Sequence, residues 1–209
     1  MSAGCGSCVD TADINKSLRR ALWAVLIINA GMFVVEITAG VFAGSVSLQA
    51  DAVDFLGDSA SYAISLFVLS KSLRWRSGAA MIKGLSMAVF GLWILGTVIH
   101  TAMTSGTPDP MVMGWVGVMA MLANLVAAFL LYRYRNGDAN MRSVWLCTRN
   151  DVLGNIAVVL AASGVLATGS MWPDLGVAMI LASLALHSSA QILRQSMAEL
   201  QGNPIQTGN

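Results

Sequence analysis

Six long apolar stretches, separated by short polar breaks, constrain this chain more than any other feature. They run roughly Leu18–Ala43, Val46–Leu69, Ala79–Met103, Met111–Tyr132, Val144–Thr168 and Leu175–Leu193. Each is long enough to cross about 30 Å of hydrocarbon at about 1.5 Å per residue. A segment in lipid must satisfy its own backbone hydrogen bonds, which leaves helices or a closed barrel. Apolar runs of this length, without strict alternation, predict helices. The expected fold class is therefore all-α: a polytopic membrane protein with six transmembrane helices. The connections agree. Only Gly44 and Ser45 separate the first two stretches, which predicts an antiparallel hairpin, and Thr104–Pro110 and Gly169–Asp174 are rich in turn residues. Of the 209 residues 56% are apolar and 11% charged, against about 25% charged in a soluble domain.

The basic residues predict an orientation. Lys16, Arg19 and Arg20 precede the first stretch, and Lys71, Arg74, Arg76 and Lys83 follow the second. Arg133, Arg135 and Arg142 sit between the fourth and fifth, and Arg194 follows the sixth. The other three connections hold no Lys or Arg. By the positive-inside rule both termini are cytoplasmic, in a bacterial-type inner membrane. Arg149, inside the fifth stretch, is the exception among the 12 basic residues. The expected organisation is a cytoplasmic segment over residues 1–17, a transport domain over 18–194 and a short cytoplasmic tail over 195–209. No cleavable signal peptide is expected at the polar start. A net charge of +1 argues against nucleic acid as a partner. Three cysteines, Cys5, Cys8 and Cys147, cannot build a disulfide scaffold.

Against this apolar background the acidic residues stand out. An ionised Asp at the centre of a span costs about 2.5 to 3.5 kcal/mol on insertion scales. The second stretch carries three: Asp51, Asp54 and Asp58. At steps of three and four residues they share one helical face, which must look into a bundle. The fifth stretch carries a second polar stripe, Cys147, Asp151 and Asn155, at steps of four. Asp54 with Asp58, and Cys147 with Asp151, thus place two pairs of ligand-type groups on two helices.

Four such groups are what a tetrahedral metal site needs. A thiolate disfavours magnesium and calcium and suits zinc or cadmium, with cobalt and iron(II) also accommodated. Deprotonated, the four groups carry four negative charges, and one divalent ion offsets two. Protons are expected to exchange with the metal to balance the rest. The metal here is cargo, and no resident cofactor is expected. Asp51, Asn155 and Glu36 are accessory candidates: Asn155 as a hydrogen-bonding partner of the ligands, Glu36 as part of an exit path. Cys5 and Cys8 form a CxxC that offers two thiols for metal capture, although a closed structural site needs four ligands. Asn124 is read as a helix-to-helix hydrogen bond, and His100 and His187 as structural.

The chain resembles the cation diffusion facilitator family of metal transporters. The resembling stretches are NAGMFVVE from Asn29 to Glu36, SLQADAVDFLGD from Ser47 to Asp58, LANL at Leu122–Leu125 and RSVWLCTRNDVLGN from Arg142 to Asn155. They cover the membrane region in order. The resemblance implies the cation-efflux transmembrane fold and proton-coupled export of a divalent metal by alternating access. It also implies zinc as the commonest substrate and a homodimer as the usual assembly. The family's zinc members usually carry His-x-x-x-Asp in both the second and fifth spans. Here Asp54 and Cys147 stand at the His positions, which opens the choice of metal. The family's cytoplasmic C-terminal domain and His-rich loop are not seen in this sequence.

The expectation is thus a proton-coupled exporter of zinc, with cadmium accepted, and no enzyme. Rival readings are an iron(II), cobalt or manganese exporter, a non-transporting metal-binding membrane protein, and an intramembrane aspartyl protease built on Asp58 and Asp151. A homodimer is expected to form through membrane helices, with Gly84, Gly91 and Gly96 of the third stretch allowing close approach, and to be weaker than in relatives with a C-terminal domain.

Overall fold

A computed structural model describes residues 11–67, 73–104, 106–134 and 139–201. Side chains at 11–15, 73, 76 and 139–150 lie outside the description. The described chain is helical throughout: α1 (Thr11–Ala43), α2 (Val46–Phe67), α3 (Leu73–Thr104), α4 (Pro110–Tyr132), α5 (Ala139–Thr168) and α6 (Trp172–Leu200). Five of them are long and apolar enough to cross a membrane; α2, with its three Asp residues, is the other.

The helices follow the sequence expectation and run past it at one end of the bundle. α1, α3 and α5 begin before the apolar stretch, and α6 continues to Leu200. Residues 195–200, expected in the tail, are therefore helix. Hydropathy reports the thickness of the bilayer, whereas backbone hydrogen bonding continues into the polar layer. Lys16, Arg19, Arg20, Arg74, Arg133 and Arg194 are exposed at this basic end. The opposite end carries the α1–α2, α3–α4 and α5–α6 turns and is called the turn end below.

Three helix pairs dominate the packing: α1 with α2, α4 with α5, and α3 with α6. Among the described residues only α2 touches all five others. That position explains how α2 tolerates its acidic face, since few of its residues meet lipid. The outer surface of the bundle is apolar: Ile27, Val41, Ile82, Leu92, Ile99, Trp115, Phe129, Leu160 and Ile180 are all exposed. A patch of that extent is unsuited to water and suits a bilayer.

Two turns at the turn end use glycine for its freedom at positive φ. Gly44 closes α1 at φ 67° and Gly169 closes α5 at φ 63°. Close helix approach in lipid depends on small residues. A Cβ on Gly40 would lie 2.8 Å from Gln49 Cγ, so α1 and α2 meet there without room for a side chain. Gly91 is similar, at 2.9 Å from Leu186, and Gly84 meets Leu193 at 3.1 Å. Gly84 and Gly91 therefore serve the α3–α6 contact inside one chain, which corrects their assignment to a dimer interface. Gly96 has open space around it.

Candidate metal site

α2 and α5 bring the two predicted ligand pairs together in part. Asp54 and Asp58 lie one turn apart on α2, and both are partly buried. Asp151, on α5, lies within hydrogen-bonding reach of both of their carboxyl groups. One of its oxygens, Oδ2, is buried and receives no donor. Asp58 is anchored from within α2, where the buried Tyr62 hydroxyl donates to its Oδ2 at 3.1 Å. Cys147 stands on α5 one turn before Asp151, toward the basic end; its side chain lies outside the described residues. Cys5 and Cys8 also lie outside them.

Among the described residues no three His, Cys, Asp or Glu side chains are gathered closely enough to hold one ion ready-made. The three carboxyls are neighbours, not a preformed cage. Like charges in a low-dielectric site repel, and a cation between them reverses that force. A set of oxygens that can tighten around an ion and relax without it suits cargo that must also leave.

Lys83 does not belong to a connection, although its position among basic residues suggests one. It lies on α3, partly buried, with its Nζ donating to Ser61 Oγ. Its ammonium is near enough to Asp54 and Asp58 to act on both electrostatically. The sequence did carry a signal: Lys83 falls inside the third apolar stretch, where an unpaired charge has no other partner. His100 and His187 are exposed on the bundle surface, and His187 bonds Gln191 at 3.0 Å, away from the carboxyls. An apolar cavity of about 560 Å³ opens between α1, α2 and α3 against Phe33, Ile64 and Phe90. None of the site carboxyls lines it.

The accessory candidates occupy a separate position. Asp51 is enclosed, one turn nearer the turn end than Asp54, and accepts from Asn155 Nδ2 at 2.7 Å. Asn155 in turn accepts from Asn124 Nδ2 at 3.1 Å, across the α4–α5 contact. Glu36, on α1, places its carboxyl against that of Asp51.

The amino-acid sequence is similar to known proteins along most of its length. Residues 22–201 match the cation efflux transmembrane domain. The zinc transporter ZitB of Escherichia coli (strain K12) is 27% identical over 205 residues, covering 91% of this chain and 65% of that protein. The cadmium, cobalt and zinc/H(+)-K(+) antiporter of Bacillus subtilis (strain 168) is 26% identical over 205 residues, covering 89% and 65%. A vacuolar zinc transporter of Toxoplasma gondii is 30% identical over 144 residues, covering 63% and 16%. The chain thus spans about 65% of the length of the bacterial relatives it matches.

Proposed function

The chain belongs to the cation efflux family of membrane transporters, and on that premise we propose that it exchanges a divalent transition-metal ion for protons. Zinc is the leading substrate, with cadmium accepted. The observation that carries this reading is Asp151 of α5 set against Asp54 and Asp58 of α2. These are three ligand-type carboxyl groups from two helices, on residues that are only partly buried. Cys147, one turn from Asp151, supplies the fourth group. The donor set fits a tetrahedral zinc ion, with sulfur favouring the softer metals. Membership in a transporter family sets aside the intramembrane protease.

Charge couples the metal to protons. Three carboxylates and a thiolate carry four negative charges; a divalent ion together with the nearby Lys83 ammonium offsets three of them, and without metal only Lys83 opposes them. Protons therefore arrive as metal leaves. The test is purified chain in liposomes, with zinc, cadmium, cobalt and manganese offered with and without a pH gradient. Zinc flux that accelerates with an opposing proton gradient is expected; flux indifferent to that gradient removes the exchange. Calorimetry in buffers of different ionisation enthalpy should show proton release on zinc binding, with affinity falling as pH falls. A count of zero removes the proton coupling and leaves the metal site standing.

Cys147 sets selectivity in this reading. Cys147→Ser replaces a soft ligand with a hard one and is expected to weaken cadmium roughly 10- to 100-fold while changing manganese little. Equal losses for all metals would remove sulfur from the site. Cobalt is the second substrate to try, since the Bacillus subtilis relative is named for it.

The basic end faces the cytoplasm in this proposal, as the positive-inside rule requires, and the turn end faces out. Two copies associate through membrane helices. With Gly84 and Gly91 committed to α6, the apolar outer faces of the bundle are what remains for that contact. Mass measurement in nanodiscs over a range of dilution is expected to show a dimer, and an active particle that stays single-chain at every dilution refutes it.

A further inference from the structure

The polar cluster around Asp51 has a surplus of acceptors that neither the ligand pairs nor helix packing explains. The hydrogen-bond order within it is forced. A carboxylate only accepts, so Asn155 must turn its Nδ2 toward Asp51 Oδ2, at 2.7 Å. That leaves Asn155 Oδ1 as an acceptor, and Asn124 must turn its own Nδ2 toward it, at 3.1 Å. The chain therefore ends on Asn124 Oδ1, which is buried and has no donor. On the other side of Asp51 stands Glu36, fully enclosed at 0% exposure, and neither of its oxygens receives a donor. Carboxyl faces carboxyl at that point.

Buried acceptors without donors are costly, and paired buried carboxylates more so. The Asn155 and Asn124 amides each already donate toward Asp51 along the chain, so flipping either one breaks a bond without giving Glu36 a donor. We propose that Glu36 and Asp51 form a second cation site, built of oxygen alone, that takes a hard divalent cation such as Mn²⁺. Two carboxylates balance one divalent charge, and water completes the coordination that such ions need. Without sulfur, this site prefers harder ions than one containing Cys147. It lies between Asp54 and the turn end, so a cation released from the Asp54, Asp58 and Asp151 group toward that end meets it next. It stands on its own geometry and does not require that group to carry the transported ion.

The test uses the full chain in nanodiscs with Asp58→Asn and Asp151→Asn together, which removes two of the proposed zinc ligands. Mn²⁺ is titrated at neutral and mildly alkaline pH, and bound ion is read from loss of the free Mn²⁺ signal in electron paramagnetic resonance. One Mn²⁺ per chain is expected to bind in this background. Adding Glu36→Gln is expected to weaken it roughly 10- to 100-fold, because the amide offers a donor to Asp51 where an ion would sit. The same donor satisfies the network, so the variant should fold; Asp51→Asn gives a second route if it does not. Absence of bound Mn²⁺ at both pH values overturns the proposal, because Glu36 and Asp51 then share a proton instead. Mn²⁺ bound equally well after Glu36→Gln and after Asp51→Asn places the ion elsewhere and overturns it too. Loss of zinc binding in Asp58→Asn is a separate result that bears only on the ligand group.

Discussion

Asp54→Ala, Asp58→Ala and Asp151→Ala should each reduce zinc flux in liposomes to background. Zinc affinity should fall by more than the roughly 10- to 100-fold that follows loss of a group merely supporting a ligand. Asp151 is the most exacting of the three. It is the one described residue that ties α5 to both α2 carboxyls, so its loss removes a proposed ligand and leaves Asp54 and Asp58 facing each other across one turn. Folding should be retained, because removing a carboxyl from a crowded acidic site relieves repulsion. Thermal unfolding of each variant without zinc checks this, and wild-type protein should gain stability with zinc while the variants do not. A variant with near-wild-type flux and affinity identifies a residue that is no ligand. Isothermal titration on all three, with the Asn versions alongside, separates loss of charge from loss of an oxygen.

Much of this geometry was legible before any coordinate. The apolar stretches gave six helices because lipid leaves the backbone no alternative, and their length is set by the bilayer. The steps of three and four between Asp51, Asp54 and Asp58 gave a shared face because helical spacing is fixed. Neither argument needs tertiary knowledge. Where the sequence reading stopped, the missing information was of another kind. Gly84 and Gly91 look like any small-residue stripe in α3, and only the packing of Leu186 and Leu193 against them shows which helix they serve. The difference between Asp51 and Asp54 was equally hidden. They lie on one face of one helix, yet Asp51 is sealed against Asn155 while Asp54 meets Asp151. Depth along a helix axis decides this, and depth depends on how α1, α4 and α5 are staggered against α2.

Asp174 shows the same limit most clearly, and replacing it is expected to have the largest effect on stability. In the sequence it closes a turn, GSMWPD, and nothing marks it further. In the fold it is fully buried and accepts four hydrogen bonds from the start of α2. Its Oδ2 takes the Val46 N–H at 2.8 Å; its Oδ1 takes the Ser47 N–H at 3.1 Å and the hydroxyls of Ser45 and Ser47 at 2.7 and 2.6 Å. Ser45 meanwhile caps the same helix, its Oγ accepting from Leu48 N at 3.2 Å. The first three N–H groups of α2 are thus divided between a local cap and a carboxylate from α6, whose charge also suits the positive end of the helix. Asp174→Ala leaves two backbone donors and two hydroxyls buried at the turn end without that partner. The expected cost is about 3 to 5 kcal/mol, comparable with breaking a buried charged pair. That corresponds to a fall in Tm of roughly 6 to 20 °C for a chain of this size. Asp174→Asn keeps one acceptor oxygen but turns an NH₂ toward a backbone donor, so it should fall between wild type and Ala. Glu at the same position should not rescue, because an extra methylene displaces the oxygens from a helix end already closed by Ser45. Thermal unfolding in matched nanodiscs measures the order. An Asp174→Ala protein as stable as wild type would mean that the α2 start finds its donors' partners elsewhere, and that α6 is held by its contact with α3 alone.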